Sequence, residues 1–469
     1  MTDPSIFWFR RDLRLSDNQA LAKAAAAGPV LGLFVIDPAL WGPAGANRQA
    51  FLVRSIRALA DSMDGQLLVV QGSPAPSLVA VCEAAGSGKV FATEDFGPYG
   101  RRRDRQAGEA LGAVDKTLSL VDSPYAVKPG SVVTGGGTSY KVFTPFFRSW
   151  KSHGWDSPGE QVAADWVDPN LVAPDLVDRG SVGCDAAGLN VGMPPEPELS
   201  IELPAAGEAA AWDCFETFLA DRVAGYGAAR DLPAVEGTSR LSPYLKWGAV
   251  HPRQLLDRLG SSPGEETFRS EIAWREFYAE VLFQRPDSAR HAYVAKMADM
   301  ATDEGPGADE LFAAWAEGRT GYPIVDAGMR QLVTEGWMHN RVRMIVASFF
   351  VKDLHLDWTR GARFFMRHLV DGDLGSNSHG WQWVAGTGTD ASPYFRIFNP
   401  ITQSKKFDPE GEYLRRWLPE IAHLPNRSIH SPWTEKTGAP AAYPPPIVDH
   451  GQERQESLDR YAQLKQTWA

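Results

Sequence analysis

Apolar runs alternate with helical patterns along the first third of the chain. Five runs have the length of a buried strand: residues 6–9, 30–36, 67–70, 90–93 and 118–121. Between them, apolar residues recur at helical spacing, most clearly over 48–62 and 77–85. Strands that alternate with helices are joined by right-handed crossovers and pair in parallel. The pattern therefore predicts an α/β doubly wound N-terminal domain over residues 1–135.

The pattern changes twice further along the chain. Residues 136–206 are predicted to be an interdomain linker, because Gly, Pro, Asp and Ala dominate from residue 154 and little periodicity remains. From residue 207, apolar side chains return at helical spacing, as in Phe215, Phe218 and Leu219. Residues 207–469 are therefore predicted to form an all-α domain.

Cysteine usage and hydropathy restrict the class of protein. Among the 469 residues, Cys82, Cys184 and Cys214 lie far apart and form no C-x-x-C motif. This argues against a disulfide framework and against a metal held by cysteines. We therefore expect no metal and a reducing, cytoplasmic setting. No segment is apolar over the length that spans a bilayer, so no membrane association is expected.

The charge of the chain bears on its partners. A net charge of −11 weighs against a general nucleic-acid binder. A local basic face remains compatible with it, because Arg396, Lys405 and Lys406 lie near aromatic residues such as Tyr394. Asp408 and its acidic neighbours partly cancel this charge, so a solvated, mixed-charge surface is the alternative.

The segment from Asp371 to Trp383 carries the densest set of chemical groups. Asp371 and Asp373 flank a glycine, and carboxylates two residues apart do not share a helix face, so we interpret them as two acceptors on a loop. Asn377, Trp381 and Trp383 follow. Acceptors, an amide and oxidisable indoles suit a heteroaromatic redox cofactor better than a metal ion. The alternative is a helix N-terminus capped by aspartate beside a tryptophan core.

Two further segments would suit such a ligand. Residues 237–245 place hydroxyl groups before a helix that starts with proline, an arrangement that binds diphosphate through backbone N–H groups, although a plain helix cap looks the same. Glu271, Trp274 and Arg275 share one helix face and would bind a flat polar ligand such as a base. A surface ion pair beside a core tryptophan is the alternative.

The segment 337–344 adds two cations to this set. Arg343 is predicted to pair with Asp371, which would place a charge pair beside the cofactor. Arg341 is predicted to face phosphate.

Together these segments resemble the photolyase/cryptochrome family, and most closely its class I cyclobutane pyrimidine dimer photolyases. The matching stretches are residues 7–14, 140–146, 237–245, 274–278, 320–326, 337–345 and 371–400. They cover nearly the whole chain in order. The resemblance implies that the α/β domain is an antenna domain and that the all-α domain binds FAD.

The resemblance also implies how FAD, folded into a U shape, is held. The cofactor-binding residues would be Tyr226, Thr238, Ser239, Leu241, Ser242, Arg343, Asp371, Asp373 and Asn377. Asn377 would lie near flavin N5, where an amide cannot donate a proton as a carboxylic acid can. An antenna chromophore, methenyl-tetrahydrofolate or a deazaflavin, would lie near Asp37, Asp95 and Arg101, and catalysis does not require it.

The implied activity is light-driven DNA repair. Excited reduced FAD would pass an electron to a cyclobutane pyrimidine dimer flipped out of the DNA, and the dimer would split. Catalytic contacts are expected from Glu271, Trp274, Asn340, Met344, Asn377 and Trp383. DNA contacts are expected from Arg230, Glu271, Trp274, Arg275, Asn340, Arg341 and Gln403. Asn340 and Met344 stand where relatives that repair the 6-4 photoproduct carry histidines, which favours the cyclobutane dimer.

The electron relay departs from the family's pattern. Members of this type reduce FAD with light through three tryptophans, of which Trp381 and Trp358 match the first two. The third would fall at Gly305, where no aromatic residue lies. Either Trp315 or a tyrosine replaces it, or the relay is shorter. We expect slower or less durable photoreduction than in a relative with all three.

Two other functions are compatible with the same residues. The first is a cryptochrome-type blue-light photoreceptor, and the second is a protein that binds flavin and DNA with neither output. Glu271, Trp274, Asn377 and Trp383 favour repair, and we expect the enzyme to act as a monomer.

Overall fold

The computed structural model describes residues 3–172, 190–391, 393–434 and 440–468. Part of the predicted linker, residues 173–189, therefore lies outside the described residues, as does Cys184. No helix in the described part of the chain is both long and apolar enough to cross a membrane.

A six-stranded sheet forms the core of the N-terminal domain. Its strands are β1 (Ser5–Phe9), β2 (Val30–Ile36), β3 (Leu67–Gln71), β4 (Lys89–Thr93), β5 (Thr117–Val121) and β6 (Asn190–Val191). Their order is β5-β4-β1-β2-β3-β6, in which β1 to β5 are parallel and β6 pairs antiparallel with β3. Each of the five predicted strands is present and differs by at most one residue, so the doubly wound prediction is confirmed.

Helices cover both faces of this sheet because successive strand residues point to opposite sides. The helices are α1 (Gln19–Ala26), α2 (Pro38–Trp41), α3 (Ala46–Asp61), α4 (Pro74–Ala84) and α5 (Pro98–Gly112). Ile6 and Trp8 pack with α4 and α5, whereas Phe7 and Phe9 pack with α1 and α3. The strand order reverses between β1 and β4, so the residues that follow these two strands meet in one crevice.

The predicted linker contains a helix that packs into the second domain. The connection includes α6 (Phe143–His153) and α7 (Pro169–Val172). Phe143, Phe146 and Trp150 of α6 are buried in one cluster with Phe277 of the helical domain. Their spacing forms an apolar stripe along the helix. Our linker prediction misses this helix because the stripe is short and polar residues surround it.

The described residues from 207 onward contain helices and loops, as predicted. The helices are α8 (Glu208–Asp221), α9 (Tyr226–Ala229), α10 (Ser242–Trp247), α11 (Pro252–Asp257), α12 (Pro263–Gln284), α13 (Pro306–Ala316), α14 (Pro323–Glu335), α15 (Asn340–Lys352), α16 (Trp358–His368), α17 (Leu374–Ala385), α18 (Pro400–Phe407), α19 (Glu412–Trp417), α20 (Asn426–Ile429) and α21 (His450–Gln466). Two large apolar clusters hold them together.

The long helix α12 ties the two domains together. It begins at a capping box formed by Ser262 and Glu265. Further along, the buried carboxylate of Glu276 accepts hydrogen bonds from the backbone N–H groups of Ala126 (2.5 Å) and Val127 (3.0 Å). It also accepts one from the indole of Trp150 at 2.7 Å. One face of α12 is thus bound to the segment that leaves the α/β domain.

Candidate functional site

A cavity of about 590 Å³ lies in the helical domain, where α12, α15 and α17 approach one another. Its volume is within the range of sites that bind organic ligands, which is about 300–1,000 Å³. The predicted site residues that line it are Tyr226, Arg230, Ser239, Leu241, Ser242, Glu271, Trp274, Arg275, Asn340, Arg341, Arg343, Met344, Asp371, Asp373, Asn377, Trp381 and Trp383. The predicted cofactor residues and the predicted lesion residues thus face one cavity.

Three predicted site residues are not part of this lining: Thr238, Trp358 and Gln403. The carbonyl of Thr238 instead accepts a hydrogen bond from Arg222 at 3.5 Å. Trp358 begins α16 and packs against the apolar cluster of the helical domain. Gln403 lies on α18, half-buried. These three residues therefore do not line the cavity, and the electron-transfer role of Trp358, which packs against the cluster that contains Trp381, stays a prediction.

Asp371 and Arg343 form the predicted ion pair. The Arg343 Nη2 donates to Asp371 Oδ2 at 2.8 Å, and the Asp371 side chain is 4% exposed. The other carboxylate oxygen, Oδ1, is buried without a hydrogen-bond partner among the described residues, and so is the indole Nε1 of Trp381. A buried polar atom left unpaired costs about 1–3 kcal/mol. An unpaired acceptor and an unpaired donor on residues that line the cavity fit a ligand with polar ring edges, such as a flavin.

Asp373 is a helix cap rather than a second free loop acceptor. Its Oδ1 accepts from the backbone N–H of Ser376 at 3.1 Å and caps α17. Its Oδ2 accepts from Arg11 Nη2 at 2.8 Å, and Lys246 Nζ lies 3.9 Å away. Burial alone would raise the pKa of Asp373, but the positive charges of Arg11 and Lys246 outweigh it, and the pKa lies well below its usual range. The helix cap of the alternative interpretation is therefore present at Asp373, which also lines the cavity.

Asn377 and Trp381 lie one turn apart on α17, fixed by their contacts with α16. The amide nitrogen of Asn377 donates to the carbonyl oxygen of Ala362 at 3.0 Å. Trp381 is 3% exposed and lies directly against Gly361 of α16, where a Cβ atom would overlap the indole ring. The absence of a side chain at Gly361 therefore allows the indole to reach the cavity wall.

The predicted DNA-binding arginines are engaged within the protein. Arg230 Nη1 donates to Glu271 Oε1 at 2.5 Å, and Arg341 Nη2 lies 2.8 Å from Asp231 Oδ2. Arg275 donates to two backbone carbonyl groups and stacks over the ring of Tyr125. Burial raises the pKa of Glu271, although the charge of Arg230 opposes this shift. Arg230 and Arg341 therefore carry partners that DNA phosphates would have to replace or share.

Trp274 is held in place by an aromatic residue from outside the predicted catalytic domain. The ring of Phe143 on α6 stacks on Trp274 with a centroid distance of 3.7 Å and an angle of 9° between the planes. The backbone N–H of Phe143 donates to Asp390 at 3.0 Å, which fixes the start of α6. One face of the indole is thus covered by Phe143, and Trp274 also lines the cavity.

The aromatic neighbours of Trp381 bear on the electron relay. Trp315, Phe350 and Phe365 lie 6.1, 5.5 and 5.0 Å from its ring centroid. Trp315 is fully buried, and its Nε1 donates to the carbonyl of Val346 at 3.2 Å. Gly305 is followed by α13, which carries Trp315. Trp315 therefore lies edge-on to Trp381, which is predicted to be the first tryptophan of the relay.

The residues predicted to line an antenna site are largely paired with their neighbours. Asp37 accepts a hydrogen bond from the hydroxyl group of Tyr99. Asp95 accepts from Arg103 at 3.3 Å and from the backbone N–H of Gly97 at 3.0 Å. Arg101 stacks over the ring of Phe283 at 4.7 Å. An antenna at this position stays a prediction.

Sequence reasoning missed several residues of the cavity or its support. Lys246 and Tyr278 line the cavity without having been predicted as site residues: Lys246 follows directly after the segment 237–245, and Tyr278 is the last residue of the stretch 274–278. Phe143 lies within a recognised aromatic stretch, but nothing in the sequence indicates that it stacks on Trp274. Arg11 lies within the matching stretch 7–14, whereas its partner Asp373 is 362 residues away. Local patterns carry no information on such a pair.

Comparison with known proteins agrees with this geometry. Residues 5–164 match the family model described as DNA photolyase, and residues 268–463 match the model described as the FAD binding domain of DNA photolyase. A deoxyribodipyrimidine photo-lyase of Salmonella typhimurium is 39% identical, over 97% of this chain and 98% of its own length. The chain belongs to the DNA photolyase family. A family member of Streptomyces griseus with the same name is also 39% identical, over 96% and 97% of the two chains.

Solved structures of the photolyase/cryptochrome family share the whole fold. A bacterial class III photolyase from Agrobacterium tumefaciens has a TM-score of 0.86 at 35% identity, over 99% of this chain and 98% of its own. An archaeal photolyase from Sulfolobus tokodaii, solved with two FAD molecules, has a TM-score of 0.82 at 29% identity, over 98% and 100%. A cryptochrome of Synechocystis reaches a TM-score of 0.86 at 25% identity, over 97% and 98%.

Proposed function

We propose that this chain is a deoxyribodipyrimidine photo-lyase, which uses FAD and light to split cyclobutane pyrimidine dimers in DNA. The observation that carries the proposal is one cavity whose lining combines acidic and amide side chains with the rings of Trp274, Trp381 and Trp383. The full-length identity of 37–39% to photo-lyases of several bacteria supports the same reaction.

The cofactor would be held by residues from three segments. Ser239, Leu241 and Ser242 would bind the diphosphate ahead of α10. Asp371 would accept from the flavin edge through its unpaired Oδ1, while Arg343 holds the other oxygen, Oδ2. Asn377 would lie beside N5. When bound, FAD supplies the light-absorbing electron donor.

The lesion would bind on the aromatic side of the cavity. A dimer inside a duplex cannot reach the flavin, so it must be flipped out, and its weakened stacking and pairing lower that cost. Trp274 and Trp383 would stack on the flipped bases, while Asn340 and Met344 contact them. Glu271, whose pKa burial raises, can hold a proton more readily than a surface carboxylate and would hydrogen-bond to a pyrimidine carbonyl.

The strand around the lesion would lie on the rim of the cavity. Arg230, Arg275, Arg341 and Gln403 are the residues we propose for this contact. Arg230 and Arg341 would exchange their carboxylate partners for phosphate, which leaves Glu271 free for the lesion. We further propose that the enzyme acts as a monomer and that an antenna chromophore, methenyl-tetrahydrofolate or a deazaflavin, binds the α/β domain.

A blue-light photoreceptor is the second candidate. The fold of the Synechocystis cryptochrome matches this chain as closely as that of a photolyase does, so the fold does not separate the two functions. The lesion side of the cavity favours repair, because a photoreceptor has no need of a base-stacking pair beside the flavin.

Repair can be tested directly. The reduced protein is mixed with an oligonucleotide that carries one thymine dimer and is irradiated with blue light. We expect thymine absorbance to return only with light and only for the damaged strand. Protein kept in the dark and an undamaged strand serve as controls. Protein that binds and reduces FAD but restores no absorbance would refute the proposal and favour the photoreceptor.

A further inference from the structure

Arg11 is a charged residue of the α/β domain that reaches the cavity of the other domain. It follows β1, and its Nη2 donates to Asp373 Oδ2 at 2.8 Å. Its Nε donates to the carbonyl of Lys246 at 3.3 Å. Asp373 and Lys246 line the cavity, whereas Arg11 lies behind them. Arg11 therefore connects two lining residues, Asp373 and Lys246, without lining the cavity itself.

The backbone contacts around Arg11 fix this arrangement. The N–H of Leu13 donates to the carbonyl of Trp247 at 3.1 Å. Gly248 follows with a positive φ of 66°, and a Cβ atom at that position would overlap the carbonyl of Arg11. Only glycine allows the loop after β1 to approach the end of α10 this closely. The guanidinium is thus positioned by the fold and not by a flexible side chain alone.

The charges of Arg11, Asp373 and Lys246 do not balance one another. One carboxylate lies between two cations, so Arg11, Asp373 and Lys246 carry one net positive charge when all are ionised. Lys246 loses its charge more easily than Arg11, because burial and then repulsion by Arg11 lower the pKa of Lys246 to about 7. Without Arg11, the remaining pair of Asp373 and Lys246 would carry no net positive charge.

We propose that Arg11 is a positioning residue of the flavin site, which holds Asp373 in place and makes the cavity wall favour the reduced flavin. Oxidised flavin takes up two electrons and one proton to reach the reduced anion, so its charge falls by one. A positive wall stabilises that product relative to the oxidised form. The inference rests on the FAD site of the proposed function but not on DNA repair.

The test is the midpoint potential of bound FAD, measured by dithionite titration against a reference dye. In Arg11→Gln, which keeps a hydrogen-bond donor and removes the charge, we expect the preference for reduced over oxidised flavin to fall about tenfold. For this two-electron couple a tenfold change corresponds to about 30 mV. Arg11→Lys should restore most of the potential. Arg54→Gln is the matched control, because Arg54 pairs with Glu196 in the same domain and does not line the cavity.

The route through Asp373 has its own test. In an Asp373→Asn background, the Arg11→Gln change should add less than roughly half of its effect in the wild type, because the two residues act as a pair. An unchanged potential in Arg11→Gln with FAD bound would overturn the proposal. Equal shifts in Arg11→Gln and Arg11→Lys would also overturn it, since they would assign the effect to packing and not to charge. The measurement needs neither DNA nor light, so it is independent of the repair assay.

Discussion

The stack of Phe143 on Trp274 leads to a prediction about damage recognition. Replacing Phe143 by Leu removes the aromatic face but keeps most of the buried volume. A change of this kind in a packed core costs less than about 1.5 kcal/mol, so the variant should fold. The aromatic pair itself contributes about 0.5–1.5 kcal/mol beyond its buried area. The indole should therefore lose about 1 kcal/mol of its preference for the observed orientation.

That loss should appear in the affinity for damaged DNA. If Trp274 must be reordered before the dimer can stack on it, binding of a dimer-containing strand should weaken about fivefold, since 1.4 kcal/mol corresponds to a factor of ten. Affinity for undamaged DNA and the FAD content should stay the same. Fluorescence anisotropy with damaged and undamaged strands of the same sequence measures both affinities.

Phe147→Leu provides the matched control. Phe147 lies one turn further along α6 and stacks on Phe143 at 5.7 Å, whereas its other ring contact is with Trp150. Its loss should leave the ratio of damaged to undamaged affinity unaltered. The reasoning would be refuted if Phe143→Leu kept the wild-type ratio, or if both variants reduced it equally.

Three further predictions concern electron supply, pH and the domain junction. Trp315→Phe should lower the light-driven reduction of oxidised FAD several-fold in transient absorption while chemically reduced enzyme repairs normally; an unaltered tryptophan-radical signal would exclude Trp315 from the relay. Burial lowers the pKa of His339 to about 4, and its Nδ1 accepts from the Arg341 N–H as the cap of α15. Because the unfolded side chain takes up a proton near pH 6.5 and the folded one does not, the free energy of unfolding should fall by up to about 3 kcal/mol as pH drops from 6.5 to 4. His339→Asn should remove this contribution from the pH dependence measured in urea titrations and leave that of the other buried histidines, whereas substitution of the exposed His423 should not change the dependence. Glu276→Gln turns an amide N–H towards the Ala126 N–H. This change should lower the free energy of unfolding by about 2–3 kcal/mol in urea titrations. A smaller loss than in Glu109→Gln, a change at an exposed position, would contradict the prediction.

Local sequence patterns predict the strands of the sheet, and one ion pair between neighbouring motifs is also predictable. The strands were recognisable because uninterrupted apolar runs occur only where both faces of a sheet are covered. The pairing of Arg343 with Asp371 followed from two charged residues in neighbouring motifs of the helical domain. The sequence does not reveal the stripe of α6, because its three buried apolar positions fall in a segment otherwise rich in polar residues.

The contacts that complete the cavity were not predictable in the same way. Asp373 caps α17, and the local sequence does not distinguish a carboxylate that caps a helix from one that binds a ligand. Arg11 and Phe143 reach the site from segments far away in the chain, and only the docking of the two domains brings them there. Gln403, which the family resemblance assigns to DNA contact, lies outside the cavity lining, whereas Trp358, assigned to the electron relay, packs against the cluster that contains Trp381.

Arg11 and Asp373 are 362 residues apart in the sequence, so they are synthesised at different times. The N-terminal domain leaves the ribosome first and folds as a unit, so the guanidinium is in position long before its carboxylate partner is made. The cavity wall runs from Tyr226 to Val384, and no nascent chain shorter than this encloses it. Cofactor capture is therefore a late step, and ribosome-bound chains that stop before α17 should carry no yellow colour.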